Sequence, residues 1–312
     1  MNWRWKALIQ RIVATMPMSN AIYYALQRTA GSLKPGRLSP LDSFKAGVSM
    51  VDWIKRGGQE AVGKSFLEVG TGRTVNLPTA LWLCGAGRVV TVDLHPYLSE
   101  ALVAESNQFV RQHRDEIRQL FGSWAQTPQF RERFDQLMNF SGGLDLTLKM
   151  MNVEYRSPAD AASLAFDDGS FDFHISHAVF EHIPAEDILN ILKEARRVLV
   201  SGGLLIHIID PSDHFAHDDK SITAINFLQF EASEWEALSG NQFTYHNRMR
   251  AVEYLELFAR AGVHVLWQQQ SIDQPSLQAL RNGFQLNAQF EHVPLEDLAV
   301  TSLNMVGRFS DG

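Results

Sequence analysis

The sequence predicts an α/β protein, a doubly wound, mostly parallel sheet of seven strands, preceded by a helical segment and interrupted by a helical insertion. Three observations carry this reading. Short runs of β-branched and apolar residues alternate with stretches of helical periodicity, the pattern of a parallel sheet covered on both faces. The first run, residues 65–69, ends in the glycine turn Gly70-Thr71-Gly72. The second, residues 88–93, ends in Asp93 about 20 residues further on, the spacing of a nucleotide-binding strand–helix–strand unit.

Taken in order, residues 1–64 read as helices broken by a loop at Gly31, Pro35, Gly36 and Pro40, and form an accessory segment. A core domain over 65–312 follows. Its first crossover helix is the run 78–84, since parallel strands need a crossover and gather their loops at the carboxyl edge. Residues 98–150 form a helical insertion, with helices expected over 99–121 and 129–138. Further strands are expected at 152–155, 171–176, 204–210, 263–268 and 300–308, with helices over 184–199 and 251–261.

An apolar fraction of 45% and a charged fraction of 20% are those of an ordinary globular chain able to bury a sizeable core. A net charge of −7 without any cluster of Lys and Arg argues against nucleic acid as a partner, because phosphate neutralisation needs such clusters. The single cysteine, Cys84, excludes an internal disulfide and a cysteine-based zinc site, and implies a reducing, cytoplasmic setting. No run approaches the roughly 18 apolar residues needed to span a bilayer. Residues 2–16 mix Trp, apolar residues, Arg and Lys over several turns, which suits either a capping helix or weak peripheral contact with a membrane surface.

Glu68-Val69-Gly70-Thr71-Gly72 has the physics of a nucleotide site. The glycines permit a tight turn and close approach to a ligand, and Asp93 can accept both ribose hydroxyls. A dinucleotide fingerprint would continue with a third glycine, whereas Arg73-Thr74-Val75 follows here. A pyrophosphate needs that glycine-lined helix start; a nucleoside attached to an amino acid does not. Glu68 would repel a pyrophosphate but suits the ammonium of a methionyl group.

These residues resemble the first motif of the class I S-adenosylmethionine-dependent methyltransferases, with Asp93 at the place of that family's ribose-binding acid. The resemblance continues in order through Asp160–Phe166, similar to the adenine-recognition segment, through Phe171-Asp172 to Glu181-His182, and through Arg197–Gly203. Ala165 stands where the family often has Pro, and Thr74 where some members carry a third Gly. The resemblance implies the Rossmann-like methyltransferase fold with its last strand antiparallel, S-adenosyl-L-methionine as cofactor, and Glu68, Gly70, Thr71, Gly72, Asp93, Asp160, Ala161 and Ser176 as the residues that hold it. It implies methyl transfer to a small-molecule or glycan acceptor, at a hydroxyl oxygen. Later stretches, His207–Phe215 and His246–Arg250, are similar to a bacterial subgroup, some of it associated with surface-polysaccharide genes. A non-catalytic relative that keeps the pocket as a binding or scaffold module is the main rival, opposed by the intact motifs; a nicotinamide-dependent oxidoreductase is opposed by the missing glycine.

Beyond the fourth and fifth strands lie the candidates for acceptor chemistry. His207, His214 and His217 accompany Asp210, Asp213, Asp218 and Asp219, and of these His214 and Asp213 are candidate bases, as is His177. The spacing matches no fixed ligand pattern, so no metal is assigned. His182 reads as part of a structural turn. Arg248 and Arg250 are candidates for clamping an anionic group of the acceptor.

Overall fold

A computed structural model describes residues 2–310; Met1, Asp311 and Gly312, at the outer ends of the two predicted segments, lie outside the described residues. Three helices come first, α1 (Trp3–Ala14), α2 (Ser19–Thr29) and α3 (Leu41–Arg56). The sheet then begins with β1 (Ser65–Val69), α4 (Asn76–Leu83) and β2 (Arg88–Val92). The insertion holds α5 (Glu100–Gln112), α6 (Arg114–Phe121), α7 (Pro128–Asn139) and α8 (Leu144–Met150). It is followed by β3 (Val153–Arg156), β4 (Phe171–His177), α9 (Ala185–Val198) and β5 (Leu199–Ile209). The last part comprises α10 (Phe215–Asp218), α11 (Ala232–Ser239), α12 (Ala251–Arg260), β6 (Val263–Ile272), α13 (Gln274–Arg281), α14 (Leu295–Leu298) and β7 (Val300–Phe309).

The strand order is β3-β2-β1-β4-β5-β7-β6, with β7 antiparallel to both of its neighbours and the other strands parallel to one another. This is the doubly wound sheet that the alternation of runs predicts, with the antiparallel last strand that the resemblance implies. Alternate residues of the central strands fill two cores. Phe66, Val89, Phe173, Ile175 and Ile206 face α3, α4 and the insertion. Leu67, Val69, Val90, Val92 and Leu205 face α9 and α12. The long apolar runs exist because both faces are covered.

Several boundaries differ from expectation for local reasons. The helix expected over 99–121 breaks at His113, whose backbone (φ −116°, ψ 30°) leaves the helical region between α5 and α6. α8 is a seven-residue helix following Gly142-Gly143, too short to show a periodicity. β5 begins at Leu199 and runs through Gly202-Gly203, where a turn is expected. Residues after β5 build a third core with α1, in which Trp3 and Ala7 meet Phe215, Phe227, Trp235 and Phe290. α1 is seated there by Asp219, whose Oδ2 accepts from Trp3 N at 2.8 Å, and by a 2.5 Å ion pair from Lys6 to Asp218. Carboxylates at a helix start satisfy its free N–H groups and its dipole.

Candidate active site

Strand register places the motif residues side by side. Val69 is level with Val92 and Ser176, and Val92 with Arg156. The residues that follow, Gly70, Asp93, His177 and the loop to Asp160, therefore share the carboxyl edge, where doubly wound sheets bind ligands. The 70–72 turn needs its glycines. Gly70 has φ +87°, and a Cβ there would lie 2.4 Å from Val179 Cγ2, so glycine lets the β1 turn close against the turn after β4. Gly72 has φ +64°, and a Cβ on it would meet nothing within 4 Å. That open space is where a ligand can approach the backbone.

Asp93 organises the turn. Its Oδ2 accepts from Gly72 N at 2.8 Å and its Oδ1 from His95 N at 2.9 Å, which leaves lone pairs on both oxygens for further donors. Ala159 N donates to the Asp93 carbonyl at 2.9 Å, pinning the loop after β3 beside it. In that loop Asp160 Oδ1 accepts from Ala162 N at 2.8 Å, and Ala161 is buried. Thr71 Oγ1 pairs with Thr91 Oγ1 of β2 at 2.6 Å, tying the turn to the neighbouring strand. Glu68 is 4% exposed, and its Oε2 has no hydrogen-bond partner. Burial, with a smaller contribution from Asp93, pushes its carboxyl up to about 8. An orphaned buried carboxylate oxygen beside an open glycine turn fits a cationic ligand group.

Ser176 departs from its expected role. Its side chain is fully buried on the opposite face of β4, where Oγ lies 2.8 Å from His207 Nδ1. The strand's alternation puts that hydroxyl in the α9/α12 core.

The three candidate bases separate in space. His177 ends β4, half-buried next to the glycine turn, and burial holds its imidazole below the ordinary value although Asp42 and Asp210 pull the other way. It is thus neutral and able to accept a proton at neutral pH. Asp213 is 1% exposed, and both of its oxygens are occupied, Oδ1 by Phe215 N at 2.9 Å and Oδ2 by Asn226 Nδ2 at 3.1 Å. Burial raises it to about 6, but its bonds make it the start of α10 and not a base open to an acceptor. His214 is half-buried, with Nε2 3.4 Å from Asp210 Oδ2.

Arg248 and Arg250 are likewise corrected. Arg250 is fully buried and donates to the carbonyls of Pro211, Leu298 and Arg248. Arg248, 7% exposed, donates to Phe227 O at 3.1 Å and Phe230 O at 2.8 Å and lies against the Phe290 ring. These guanidiniums fasten backbone carbonyls inside the fold, because the irregular chain at 211–250 has few strand or helix partners for them. They are not presented to an acceptor anion.

Sequence reasoning missed two groups. Arg73 stacks between the rings of Tyr24 and Tyr97, each 5.0 Å away, so α2 covers the glycine turn; Arg28 and Glu105 clasp α2 to α5. No periodicity links these distant positions. Around His214 gather Glu181, His182, Asp210, His217 and His246, drawn from the loops after β4, β5 and α11. Parallel pairing of β4 with β5 is what joins the first two loops. Asp210 and His217 also line a cleft of about 440 Å³ with Ser212, Lys220, Asp273 and Thr301.

A family described as a methyltransferase domain matches residues 125–207, from the insertion through β3 and β4 into β5. No curated protein matches the chain. Among solved structures, a protein from Pyrococcus horikoshii OT3 is 16% identical (93% of this chain, 99% of that one, TM-score 0.48). A SAM-dependent methyltransferase from Methanosarcina mazei is 15% identical (82% and 96%, TM-score 0.41). Geranyl diphosphate C-methyltransferase from Streptomyces coelicolor A3(2), solved with Mg²⁺, geranyl diphosphate and S-adenosyl-L-homocysteine, is 12% identical (84% and 79%, TM-score 0.46). The sheet order and the domain match agree with the class I methyltransferase resemblance carried by the motifs.

Proposed function

We propose that this chain transfers the methyl group of S-adenosyl-L-methionine to a hydroxyl oxygen of a small-molecule or glycan acceptor. The observation that carries the reading is the buried, unpartnered Glu68 Oε2 beside the open turn that Asp93 organises. When bound, the cofactor supplies an electrophilic methyl group on a sulfonium. Glu68 faces its methionyl ammonium, Asp93 its ribose hydroxyls, and Asp160 with Ala161 its adenine. Tyr24, Arg73 and Tyr97 flank the turn and would shield a bound cofactor, which matters because displacement at carbon is accelerated mainly by alignment and water exclusion. His177 takes the hydroxyl proton on its unprotonated ring nitrogen. The carboxylates and hydroxyls of Asp210, Ser212, Asp273 and Thr301 in the cleft suit a polyhydroxylated acceptor, as the subgroup similarity also suggests. The buried, unpaired Cys84 accords with a reducing, cytoplasmic setting.

Titration calorimetry tests this. S-adenosylhomocysteine is expected to bind with micromolar affinity and NAD not to bind. A cation beside Glu68 favours its charged form, lowering a carboxyl that stands near 8 in the free protein. Binding at pH 7 therefore releases protons, seen as an enthalpy that varies with the buffer's ionisation heat, and affinity rises with pH up to about 8. Absence of S-adenosylhomocysteine binding removes the enzyme assignment; binding without proton release removes Glu68 from the ammonium site.

The exposed side of α1 supports a peripheral membrane contact. α1 buries Trp3, Ala7, Gln10 and Val13, while Trp5, Leu8, Ile9 and Ile12, at helical spacing, are exposed on its other side. Arg4 and Arg11 border that stripe, the arrangement of a helix lying in the headgroup region of an anionic bilayer. No helix among the described residues is long and apolar enough to cross a membrane. The protein is expected to sediment with phosphatidylglycerol vesicles, less with phosphatidylcholine, and Trp5→Glu with Ile9→Glu to leave it in the supernatant. Wild-type protein that stays in the supernatant with both lipids makes α1 a capping helix only.

A further inference from the structure

We propose that Glu181, His182 and His214, on the loops after β4 and β5, form a binding site for one divalent transition-metal ion of the zinc class. One ligand atom from each residue lies within 4.8 Å of the others, a span that metal bonds of about 2.0–2.2 Å close by small side-chain rotations. Two imidazoles and a carboxylate are a donor set that divalent zinc, cobalt or nickel prefers over magnesium or calcium, which favour all-oxygen shells.

The independent observation is Glu181. It is fully buried, and neither carboxylate oxygen has a hydrogen-bond partner. Buried polar groups are almost always paired, and an ionised carboxylate in such a place needs a cation. The turn that carries it is fastened: Asn247 Nδ2 donates to Phe180 O at 2.8 Å and Ile183 O at 2.9 Å, and Asn247 N to Glu181 O at 2.9 Å. His182 Nδ1 lies 2.9 Å from the Tyr245 carbonyl, which accepts its proton and leaves Nε2 with a free lone pair. A carbonyl that accepts the other ring N–H is the usual second partner of a metal-binding histidine.

The surroundings add to the case. Asp210 Oδ2, 3.4 Å from His214 Nε2, brings a second carboxylate to the same cluster. His246 is excluded as a ligand, because its Nδ1 accepts from Arg248 N at 3.3 Å and its Nε2 then carries the proton. His217 is exposed and lies 3.6 Å from Asp210 Oδ2, forming an outer triad with Asp210 and His214 that has no buried unpartnered member beyond His214 itself. Resting on the methyl-transfer reading, the ion's task would be to lower the pKa of the acceptor hydroxyl, as bound metals do for water.

Full-length protein stripped with a chelator and titrated with Co²⁺, then with Zn²⁺ in competition, tests the site. The expected result is one ion per chain, visible d–d bands, and a melting temperature raised by the metal. His214→Ala is expected to abolish the bands, Glu181→Gln to weaken Co²⁺ binding by about tenfold or more, and His217→Ala to leave it unchanged. S-adenosylhomocysteine binding, which uses other strands, reports that each variant is folded. No stoichiometric metal binding by the wild type overturns the proposal. So does retention in Glu181→Gln with loss in His217→Ala, which moves the ion to the outer triad. Metal binding by a chain that fails to bind S-adenosylhomocysteine upholds this site while removing the methyl-transfer reading.

Discussion

Asp93→Ala is expected to weaken S-adenosylhomocysteine binding by roughly 10- to 100-fold, about 1.5–3 kcal/mol, as measured by titration calorimetry. Two effects add. The ribose loses a charged acceptor, and the turn loses the oxygens that hold Gly72 N and His95 N. Asp93→Asn separates them: its remaining oxygen can still serve one backbone donor, while its amide opposes the other, so an intermediate loss is expected. Thermal melting should show each variant folded, since the carboxylate lies at the sheet edge and not in any of the three cores. An Asp93→Ala protein that binds as tightly as wild type would show that the cofactor lies elsewhere.

The second large effect belongs to catalysis alone. His177→Ala is expected to lower kcat on a hydroxyl acceptor by roughly 10²- to 10⁴-fold, the contribution of a positioned base, with S-adenosylhomocysteine affinity nearly unchanged. Because burial holds His177 below the ordinary histidine value, the wild-type rate should be flat through neutral pH. It should fall only on the acid side, where the imidazole takes up a proton. Unchanged kcat in His177→Ala would place the base elsewhere or mean that the acceptor arrives without a proton to lose.

Legibility in the sequence followed the range of the interactions involved. The glycine turn was readable because its physics is local: a strand, two glycines at positive φ, and an acid at the end of the next strand. The roles of Arg248, Arg250 and Asp213 were not, since composition marks them as polar candidates while burial makes them fasteners of carbonyls and of α10. Ser176 was misplaced by one step of strand alternation. The Glu181–His182–His214 cluster is assembled by β4–β5 pairing across some thirty residues, so His182 read alone looked like part of a turn. The stacking of Arg73 was hidden for a similar reason, as its partners lie in α2 and after β2.

The seating of α1 bears on how the molecule assembles. Trp3 N reaches Asp219 across 216 residues of chain, only a few positions beyond His214 and His217. Closing a loop of that length costs only modestly more than closing a shorter one, since the cost grows with the logarithm of length, whereas β1, β2 and the turn between them lie within 30 residues. The stretch that carries His214 and His217 is thus anchored, through its neighbour Asp219 and the third core, to α1, so a change in how α1 is seated is felt beside those two histidines.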